Sequence, residues 1–484
     1  MPSSLPGCFS AFLKPKQKTR ATKARDEPQK ALLDDRLPRR NDDKSEEPQC
    51  RYLNLCCDYS CNTNGPKWSE DDKPPEYPGL DAGDLWAQDI LSTIDQTVND
   101  HESDLRILSL QLHDHPELGF EEKYAHDLLT NFLADRGFKV TKHYLGLNTA
   151  WRAEFTHLKG GRVLGINSEM DALQGMGHAC GHNLIAVSGV GVALAAKAAL
   201  EAHNIPGTII LLGTPAEEGG GGKIILLDRG AYDEMDACVM CHPGPGPAHS
   251  ASTGTTIAMQ SIEVEYFGHS AHAGAAPWEG TNALDAAFLA YSSISVLRQQ
   301  VRPDHRVHGI VSGRDWATNV IPDYAKMQWI IRTPTYPDLA IFKDRVQACF
   351  EAAALATGCK VRMNFAMPYY DLQQNATLAH EFADIIGNRY GYATSTASSS
   401  ASTDFGNISY ELPSLHPLYA IPTTPHGANH TPEFAKSARS PKAHEATMVT
   451  TKALAQTGIR LLRDDEFFYK VKQDHARAVF RRDI

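Results

Sequence analysis

The sequence holds histidine, cysteine and carboxylate residues at short spacings that suit metal chemistry. The first cluster is Gly177-His-Ala-Cys-Gly-His-Asn183, in which His178, Cys180 and His182 fall within five positions at the entry to a predicted helix. Imidazole and thiolate ligands hold Zn or a similar transition metal, and carboxylates complete such sites. Two polar loop histidines and a small buried cysteine would explain the same letters, so this cluster leaves both interpretations open.

A second cluster, Thr214-Pro-Ala-Glu-Glu-Gly-Gly-Gly-Gly222, directly follows a predicted strand. Adjacent carboxylates at the end of a strand can have different roles, because one can bind a metal while the other takes a proton from water. The glycines allow the chain to turn sharply and to start a helix at Lys223. A solvated acidic turn is the alternative. A phosphate-binding loop is disfavoured, because no Gly-Lys-Ser/Thr follows and two carboxylates would repel phosphate.

Two further histidines follow other predicted elements. His242 closes a predicted strand from Cys238 to His242, and His430 begins His430-Thr-Pro-Glu433. Singly, each is more often structural than a ligand. Together with the thiol and the paired carboxylates they indicate a mononuclear or binuclear metallohydrolase, because ligands in open α/β sheets gather where strands end.

The elements that must position these residues alternate between helices and short apolar strands, which is typical of an α/β fold with a largely parallel sheet. Near Gln260 the order changes to strand, helix, strand, helix, which predicts a small α+β insertion. The predicted strands are 162–166, 207–212, 238–242, 261–267 and 325–331, and the predicted helices are 85–112 with a break at 100–103, 123–136, 185–200, 282–297, 339–356, 378–389 and 446–462.

Composition excludes several classes of protein. The chain has 484 residues, a formal net charge of -11 and 42% hydrophobic residues. The acidic balance argues against duplex DNA or an anionic membrane as the main partner. No apolar run reaches the length of a membrane span, and residues 1–13 lack the apolar core of a secretory signal. Ten unevenly spaced cysteines favour reduced thiols, so we expect a soluble cytoplasmic protein.

The first 80 residues are expected to form a disordered extension, because they are rich in Pro and charge and poor in apolar periodicity. A mitochondrial transit peptide is the rival interpretation, given the early basic bias. Cys50, Cys56, Cys57 and Cys61 lack paired zinc-binding spacing, which favours unliganded thiols.

In these motifs the sequence resembles the M20 metallopeptidase/amidohydrolase family. Within that family it is similar to the aminoacylase-like branch, close to the aminobenzoyl-glutamate hydrolase type. The resemblance spans roughly 85–462. The matching pieces, in family order, are His113-Asp-His-Pro-Glu-Leu-Gly-Phe-Glu-Glu122, Met170-Asp-Ala-Leu173, 177–186, 213–222, Gly268-His-Ser-Ala-His-Ala-Gly274, Asn319-Val-Ile-Pro322, Arg332 and His430-Thr-Pro-Glu-Phe434.

The resemblance implies a fold and a domain plan. We expect an α/β, zinc-exopeptidase-like catalytic domain, with a mostly parallel sheet between helices, over 81–259 and 366–484. An inserted α+β lid and dimerisation domain is expected over 260–365. The implied partners are a peptide or N-acyl amino acid substrate and a second copy of the chain, with neither nucleic acid nor a membrane.

The resemblance also assigns residues to roles. The implied ligands of two divalent ions, Zn or Mn, are Cys180, His182, Glu218, His242 and His430. Glu217 matches the general base, and Asp171 matches a carboxylate that orients a ligand. In the lid, His272 resembles the residue that polarises the scissile carbonyl, while Asn319 and Arg332 match positions that bind the amide and terminal carboxylate of the substrate.

The chain departs from the wider family in two places. Other branches carry a His-x-Asp ligand motif where this chain has Glu169-Met170-Asp171, so that ligand is lost or replaced by Cys180. Asn183 stands where many aminoacylase-like members have Asp. We therefore expect a metal-dependent hydrolase of amide bonds in dipeptides or N-acyl amino acids. An amide-forming enzyme on the same fold and a metal-free binding or regulatory protein are the alternatives.

Overall fold

The computed structural model describes residues 85–482. The expected extension over 1–80 and its four cysteines lie outside this range. Side chains are described from Gln88 onward on the first helix and up to Phe480 on the last. Within the described range, helices and strands alternate for most of the chain.

Within residues 85–482 the chain forms twelve α-helices. They are α1 (Leu85–Asp100), α2 (Glu102–Asp114), α3 (Lys123–Ala134), α4 (His182–Ala202), α5 (Gly222–Asp228), α6 (Ala283–Leu297), α7 (Tyr336–Thr357), α8 (Ala376–Asn388), α9 (Phe405–Glu411), α10 (Pro432–Ala438), α11 (Pro441–Arg463) and α12 (Asp465–Arg482).

Fourteen strands are described in the same way. They are β1 (Lys139–Lys142), β2 (Trp151–His157), β3 (Arg162–Glu169), β4 (Gly207–Thr214), β5 (Ala237–Val239), β6 (His242–Pro245), β7 (Ser250–Ser252), β8 (Ala258–Phe267), β9 (Arg306–Gly313), β10 (Tyr324–Thr333), β11 (Lys360–Phe365), β12 (Ala393–Ser395), β13 (Ser414–Leu415) and β14 (Leu418–Ile421).

The largest sheet has the strand order β1-β2-β4-β3-β5-β13. Its pairings from β4 to β13 are parallel, whereas β1–β2 and β2–β4 are antiparallel. Helix α4 packs on this sheet and is buried along most of its length, so that its apolar residues lie inside the core. By length and composition α4 could cross a membrane, but its burial marks it as a core helix of the folded protein.

The segment between β8 and β11 forms a second sheet in the order β11-β8-β10-β9, with antiparallel pairings throughout. Alternate residues of β8 and β10, including Val264, Met327 and Trp329, are buried and belong to one hydrophobic cluster with α6 and α7. Asn282 caps α6 by accepting hydrogen bonds from two backbone N–H groups of its first turn. A third sheet, β12-β7-β14-β6, lies in the remaining part of the chain.

The α/β fold matches the expectation from the sequence, with two local differences. The single strand expected from Cys238 to His242 is wrong, because β5 ends at Val239 and β6 begins at His242, and these two strands belong to different sheets. The sheet of the insertion also contains β9 and β11, which the sequence pattern did not reveal. In β9 only Val307 is buried and the other residues are exposed or partly buried, so the strand lacks a continuous apolar signal.

Candidate metal centre

The ligand candidates collect at the carboxyl ends of β3 and β4. The paired register of these parallel strands aligns Glu169 with Thr214, so the loops that follow them leave the sheet side by side. His182 is the first residue of α4, and His242 is the first residue of β6. His430 lies just before α10, and its backbone N–H donates to the carbonyl of Ala179 at 2.9 Å.

The structure brings all five expected metal ligands together. One group of donor atoms that could hold an ion consists of Cys180, His182 and His242, and a second consists of Cys180, Glu218 and His430. Sγ of Cys180 lies 3.4 Å from Nε2 of His242, and Nε2 of His430 lies 3.2 Å from Oε1 of Glu218. Cys180 belongs to both groups, so its thiolate could help to hold an ion in either.

Backbone geometry between Cys180 and His182 permits this convergence. Gly181 has φ = 82°, in the left-handed region. A Cβ at this position would lie 2.6 Å from Cγ of Pro243, so a side chain would both strain the turn and clash. The glycine therefore lets the residues on either side of it point into the same site.

Asp171 connects the two loops that carry the ligands. Its Oδ1 lies 3.2 Å from Nδ1 of His182, and its carboxylate accepts hydrogen bonds from the backbone N–H groups of Glu217 and Glu218 at 3.1 and 3.0 Å. A carboxylate on Nδ1 fixes the tautomer that leaves Nε2 for a metal. Burial alone would raise the pKa of Asp171, but its hydrogen bond with His182 and these backbone hydrogen bonds lower it.

Glu217 and Glu218 sit in different electrostatic surroundings although they are neighbours. Burial, reinforced by the charges of Glu169 and Glu218, raises the pKa of Glu217 well above its usual value. Burial would also raise the pKa of Glu218, but the hydrogen bond with His430 and the nearby His182 outweigh it and lower that pKa. The pair is thus divided into a carboxyl that can carry a proton and a carboxylate that stays charged.

The donor atoms fit a divalent transition metal. Thiolate and imidazole suit Zn, and carboxylate suits both Zn and Mn. Among the described residues, Nε2 of His182 is a buried side-chain atom without a hydrogen-bond partner, and a native fold rarely leaves such an atom unused. Side-chain exposure rises from 0% at His182 to 33% at His430, so the site opens to solvent on the His430 side.

Three buried residues that the sequence interpretation did not assign complete the inner wall of the site. Nζ of Lys223 lies 2.6 Å from both Oε1 of Glu169 and Oδ1 of Asp404. Oε2 of Glu169 lies 3.4 Å from Nε2 of His182. The interpretation of Glu169 as a lost ligand position missed that its carboxylate still faces the site. No motif marks Asp404 in the sequence, because its contacts come from distant parts of the chain.

The three residues expected in the inserted segment, His272, Asn319 and Arg332, lie apart from this group. His272 and Val320 form an isolated β-bridge, and the carbonyl of Asn319 accepts a hydrogen bond from the N–H of Ala273 at 3.0 Å. The side chains of His272 and Asn319 are exposed, and within 85–482 no hydrogen bond or ion pair links either to the metal ligands. Nδ1 of His272 accepts from the backbone N–H groups of Gly274 and Ala275, which leaves its Nε2–H available to a substrate.

Arg332 lies near the end of β10 and connects the sheet β11-β8-β10-β9 to the segment that precedes Asp404. Its Nη1 donates to Oγ of Ser402 at 3.2 Å, and its side chain is partly exposed. The guanidinium keeps further N–H donors for a carboxylate, which it can bind with two parallel hydrogen bonds.

Comparison with known proteins identifies the family of the chain. Residues 165–448 match the family described as peptidase family M20/M25/M40. The Xaa-Arg dipeptidase of Mus musculus is 41% identical over 375 residues, which cover 74% of this chain and 85% of the mouse protein. The Xaa-Arg dipeptidase of Homo sapiens is 38% identical over 391 residues, with 76% and 88% coverage.

The chain belongs to the M20 peptidase family. The M20 fold extends to solved structures, including a dinuclear metal-binding M20 peptidase from Bacillus subtilis, with a TM-score of 0.58 and 21% identity over 75% of this chain and 99% of that one. The protein is therefore an M20 hydrolase that depends on divalent metal for the cleavage of amide bonds.

Proposed function

We propose that this M20 enzyme cleaves dipeptides that end in a basic residue, with N-acyl amino acids as a second substrate class. The observation that carries the catalytic part is the buried carboxyl of Glu217 beside two donor groups that share Cys180. The relatives named Xaa-Arg dipeptidase support the basic C-terminal residue. Arg332 supports a substrate with a free carboxylate, because its guanidinium can pair with that group.

Glu217 is proposed to act as the general base. When bound, the divalent metal lowers the pKa of water and polarises the amide carbonyl. Glu217 takes the proton of the attacking water and gives it to the departing nitrogen, which suits a carboxyl with a raised pKa. The hydroxyl of Tyr369 donates to the backbone carbonyl of Glu217 at 2.7 Å and thereby restrains the base. The products are an amino acid and a second carboxylic acid or amino acid.

The lid residues are proposed to complete the site when the substrate binds. His272 donates from Nε2 to the carbonyl oxygen on which negative charge develops. Asn319 and Arg332 hold the amide and terminal carboxylate. The segment 260–365 acts as the lid, and closure would exclude water from the reacting bond.

Two ions, Zn or Mn, are proposed for each subunit. The support is the division of the ligands into two groups around one thiolate, with His182 and His242 in one and Glu218 and His430 in the other. Glu217 also offers a donor atom within 4.8 Å of those of His182 and Glu218, and its raised pKa suits it to proton transfer rather than to holding an ion.

A homodimer through the lid is proposed as the working assembly. The edge strand β9 presents Ile310 with 62% exposure, and α6 presents Phe288 and Val296 with 59% and 74% exposure. Unpaired edge strands and exposed apolar side chains favour association with a second copy. Analytical ultracentrifugation would test this, since a monomer at working concentration contradicts it, and an Ile310→Lys/Val296→Glu variant should dissociate the dimer.

The cytoplasm is proposed as the compartment. All five cysteines within the described residues are free thiols, which fits a reducing environment. Fractionation of cells that express the full-length chain would test this, and recovery in mitochondria would support the transit-peptide alternative.

The decisive experiment is mass-spectrometric product analysis on matched substrates. The panel pairs Xaa-Arg and Xaa-Lys dipeptides with their C-terminal amides and with N-acetyl-arginine, each with Zn or Mn and with a chelator. Chelator-sensitive cleavage of the free acids, with poor cleavage of the amides, is expected. Cleavage of acids and amides at equal rates would remove Arg332 from its role. Net amide formation from the products, or no turnover by folded metal-loaded enzyme, would favour the two alternative functions.

A further inference from the structure

We propose that Lys223 is a positioning residue for the metal centre, which acts by holding Glu169 against the metal-facing nitrogen of His182. The inference rests on the metal centre of the proposed function and is independent of the substrate. Three contacts join Asp404 to Lys223, Lys223 to Glu169 and Glu169 to His182.

The first contact fixes the lysine. Asp404 directly precedes α9, and its Oδ2 accepts a hydrogen bond from the backbone N–H of Lys223 at 3.0 Å. Its Oδ1 lies 2.6 Å from Nζ of the same lysine. One carboxylate therefore holds both ends of the Lys223 residue. Because Lys223 is the second residue of α5, this contact also sets where that helix starts, directly after the glycine run.

The second contact passes the constraint to Glu169. The lysine ammonium lies 2.6 Å from Oε1 of Glu169, and both side chains have 0% exposure. Such an ion pair is shielded from water and salt, so it restrains its partners more firmly than a surface pair does. Glu169 is the last residue of β3, and its backbone is fixed by pairing with β4. The side chain of Glu169 can still rotate about its χ angles, and the ion pair with the Lys223 ammonium limits that rotation.

The third contact reaches the ligand. Oε2 of Glu169 lies 3.4 Å from Nε2 of His182, while Nδ1 of the same ring is 3.2 Å from Asp171. The imidazole is therefore flanked by a carboxylate on each nitrogen. Nε2 is the atom left for the metal, so the position of the Glu169 carboxylate governs the charge and the space beside the bound ion.

The cluster also explains why a lysine, and no apolar residue, fills this place. Oxygens of Glu169, Glu217 and Asp404 all lie within 4.8 Å of one another, and all three residues are buried. Three carboxyl groups at that separation repel one another unless a cation lies among them. The ammonium of Lys223 contacts two of the three. Within 85–482 the ion pairs of Lys223 are with Glu169 and Asp404 and not with Glu217, so the proposed base keeps its carboxyl for proton transfer.

The test separates positioning from charge balance. In Lys223→Met/Asp404→Asn one positive and one negative charge are removed together, so the net charge of the cluster is unchanged while Glu169 loses its tether. The matched control is Lys197→Met/Glu201→Gln on α4, where Nζ of Lys197 pairs with Oε2 of Glu201 at 2.9 Å outside the site. Apparent Zn²⁺ and Mn²⁺ affinity is measured by competition with a chromogenic chelator, and kcat and KM are measured on the same samples.

The double variant is expected to bind metal about 10- to 100-fold more weakly, or to lose a similar factor in kcat at saturating metal, with KM changed much less. The control is expected to match the wild type. A folded double variant with wild-type metal affinity and kcat would overturn the proposal. If that variant does not fold, Glu169→Gln decides, because it keeps the pair between Lys223 and Asp404. Unchanged metal affinity and kcat in Glu169→Gln would overturn the proposal equally.

The metal-binding measurement needs no substrate, so its outcome stands apart from the substrate assignment. Weakened metal binding without any known turnover would support the role of Lys223 while leaving the proposed reaction open. Normal dipeptide cleavage with unchanged metal binding would support the reaction and reject the role of Lys223.

Discussion

The carboxylate of Glu122 accepts a hydrogen bond at 2.9 Å from the backbone N–H of Ala216. Ala216 has φ = 55°, a left-handed conformation that costs a non-glycine residue about 1 kcal/mol or more. This residue immediately precedes the Glu217–Glu218 pair. A side chain at the start of α3 therefore holds the strained turn that presents the proposed base and a proposed ligand, which gives the 113–122 motif a structural role.

Replacement of Glu122 by Gln should change the pH dependence of stability. Burial raises the pKa of Glu122 from 4.5 to about 6. The folded state then binds more protons than the unfolded state between these values, so the stabilising contribution is complete below pH 4.5 and is lost as pH rises through 6. Glu122→Gln lacks this loss, and its stability relative to wild type should improve by about 2 kcal/mol from pH 4.5 to 7.5.

Urea denaturation of metal-free protein across this pH range measures the difference. Glu121→Gln removes the same formal charge at an exposed position and serves as the control. A difference between Glu122→Gln and wild type that stays constant with pH would contradict the raised pKa of Glu122.

Replacement of Asp171 by Asn should weaken both functions of that carboxylate. The amide can offer only one oxygen to the two backbone N–H groups and to the His182 ring. We expect about 10- to 100-fold lower metal affinity or activity. Metal content by inductively coupled plasma mass spectrometry, with kcat on the same preparation, checks this. Full metal content with full activity would show that His182 needs no such partner.

Glu217 and Glu218 should respond differently to the same substitution. Glu217→Gln is expected to lower kcat roughly 100- to 10,000-fold while metal content stays at the wild-type value, because only the proton acceptor is removed. Glu218→Gln is expected to lower metal content, because it removes a charged ligand. Retained turnover in Glu217→Gln would remove the general-base assignment, and equal metal content in the two variants would remove Glu218 from the ligands.

Replacement of Cys180 by Ala should reduce the metal stoichiometry more than loss of any other single ligand, because Cys180 belongs to both donor groups. Cys359→Ala is a matched control, because the exposure of Cys359 is 8% against 7% for Cys180. Cys359 lies in the hydrophobic cluster of the second sheet, with α6 and α7. Thiol reagents should modify Cys180 in the metal-free enzyme, and Zn should protect it. An unchanged stoichiometry in Cys180→Ala would contradict its role as a shared ligand.

The sequence by itself determined the parts of the site that are close along the chain. Cys180 and His182 share one turn before a helix, and Glu217 and Glu218 are adjacent after a strand, so residue type and spacing were sufficient to predict metal chemistry. The helical spacing of apolar residues in α1, α2 and α3, the apolar length of α4 and the apolar runs of β3 and β4 likewise predicted the α/β class, because helices and strands alternate. The split between β5 and β6 was missed, because a short apolar run contains no signal for a change of sheet.

Only the tertiary structure decided which distant residues surround the ligands. Lys223 and Asp404 are 181 positions apart, and Glu122 and Ala216 are 94 apart, yet each pair is joined by hydrogen bonds. A buried charge depends on its partner for stability, and the partner is chosen by the packing of strands and helices rather than by the neighbouring sequence. Local motifs therefore predict the chemistry of this protein, while long-range ion pairs and hydrogen bonds decide how that chemistry is held in place.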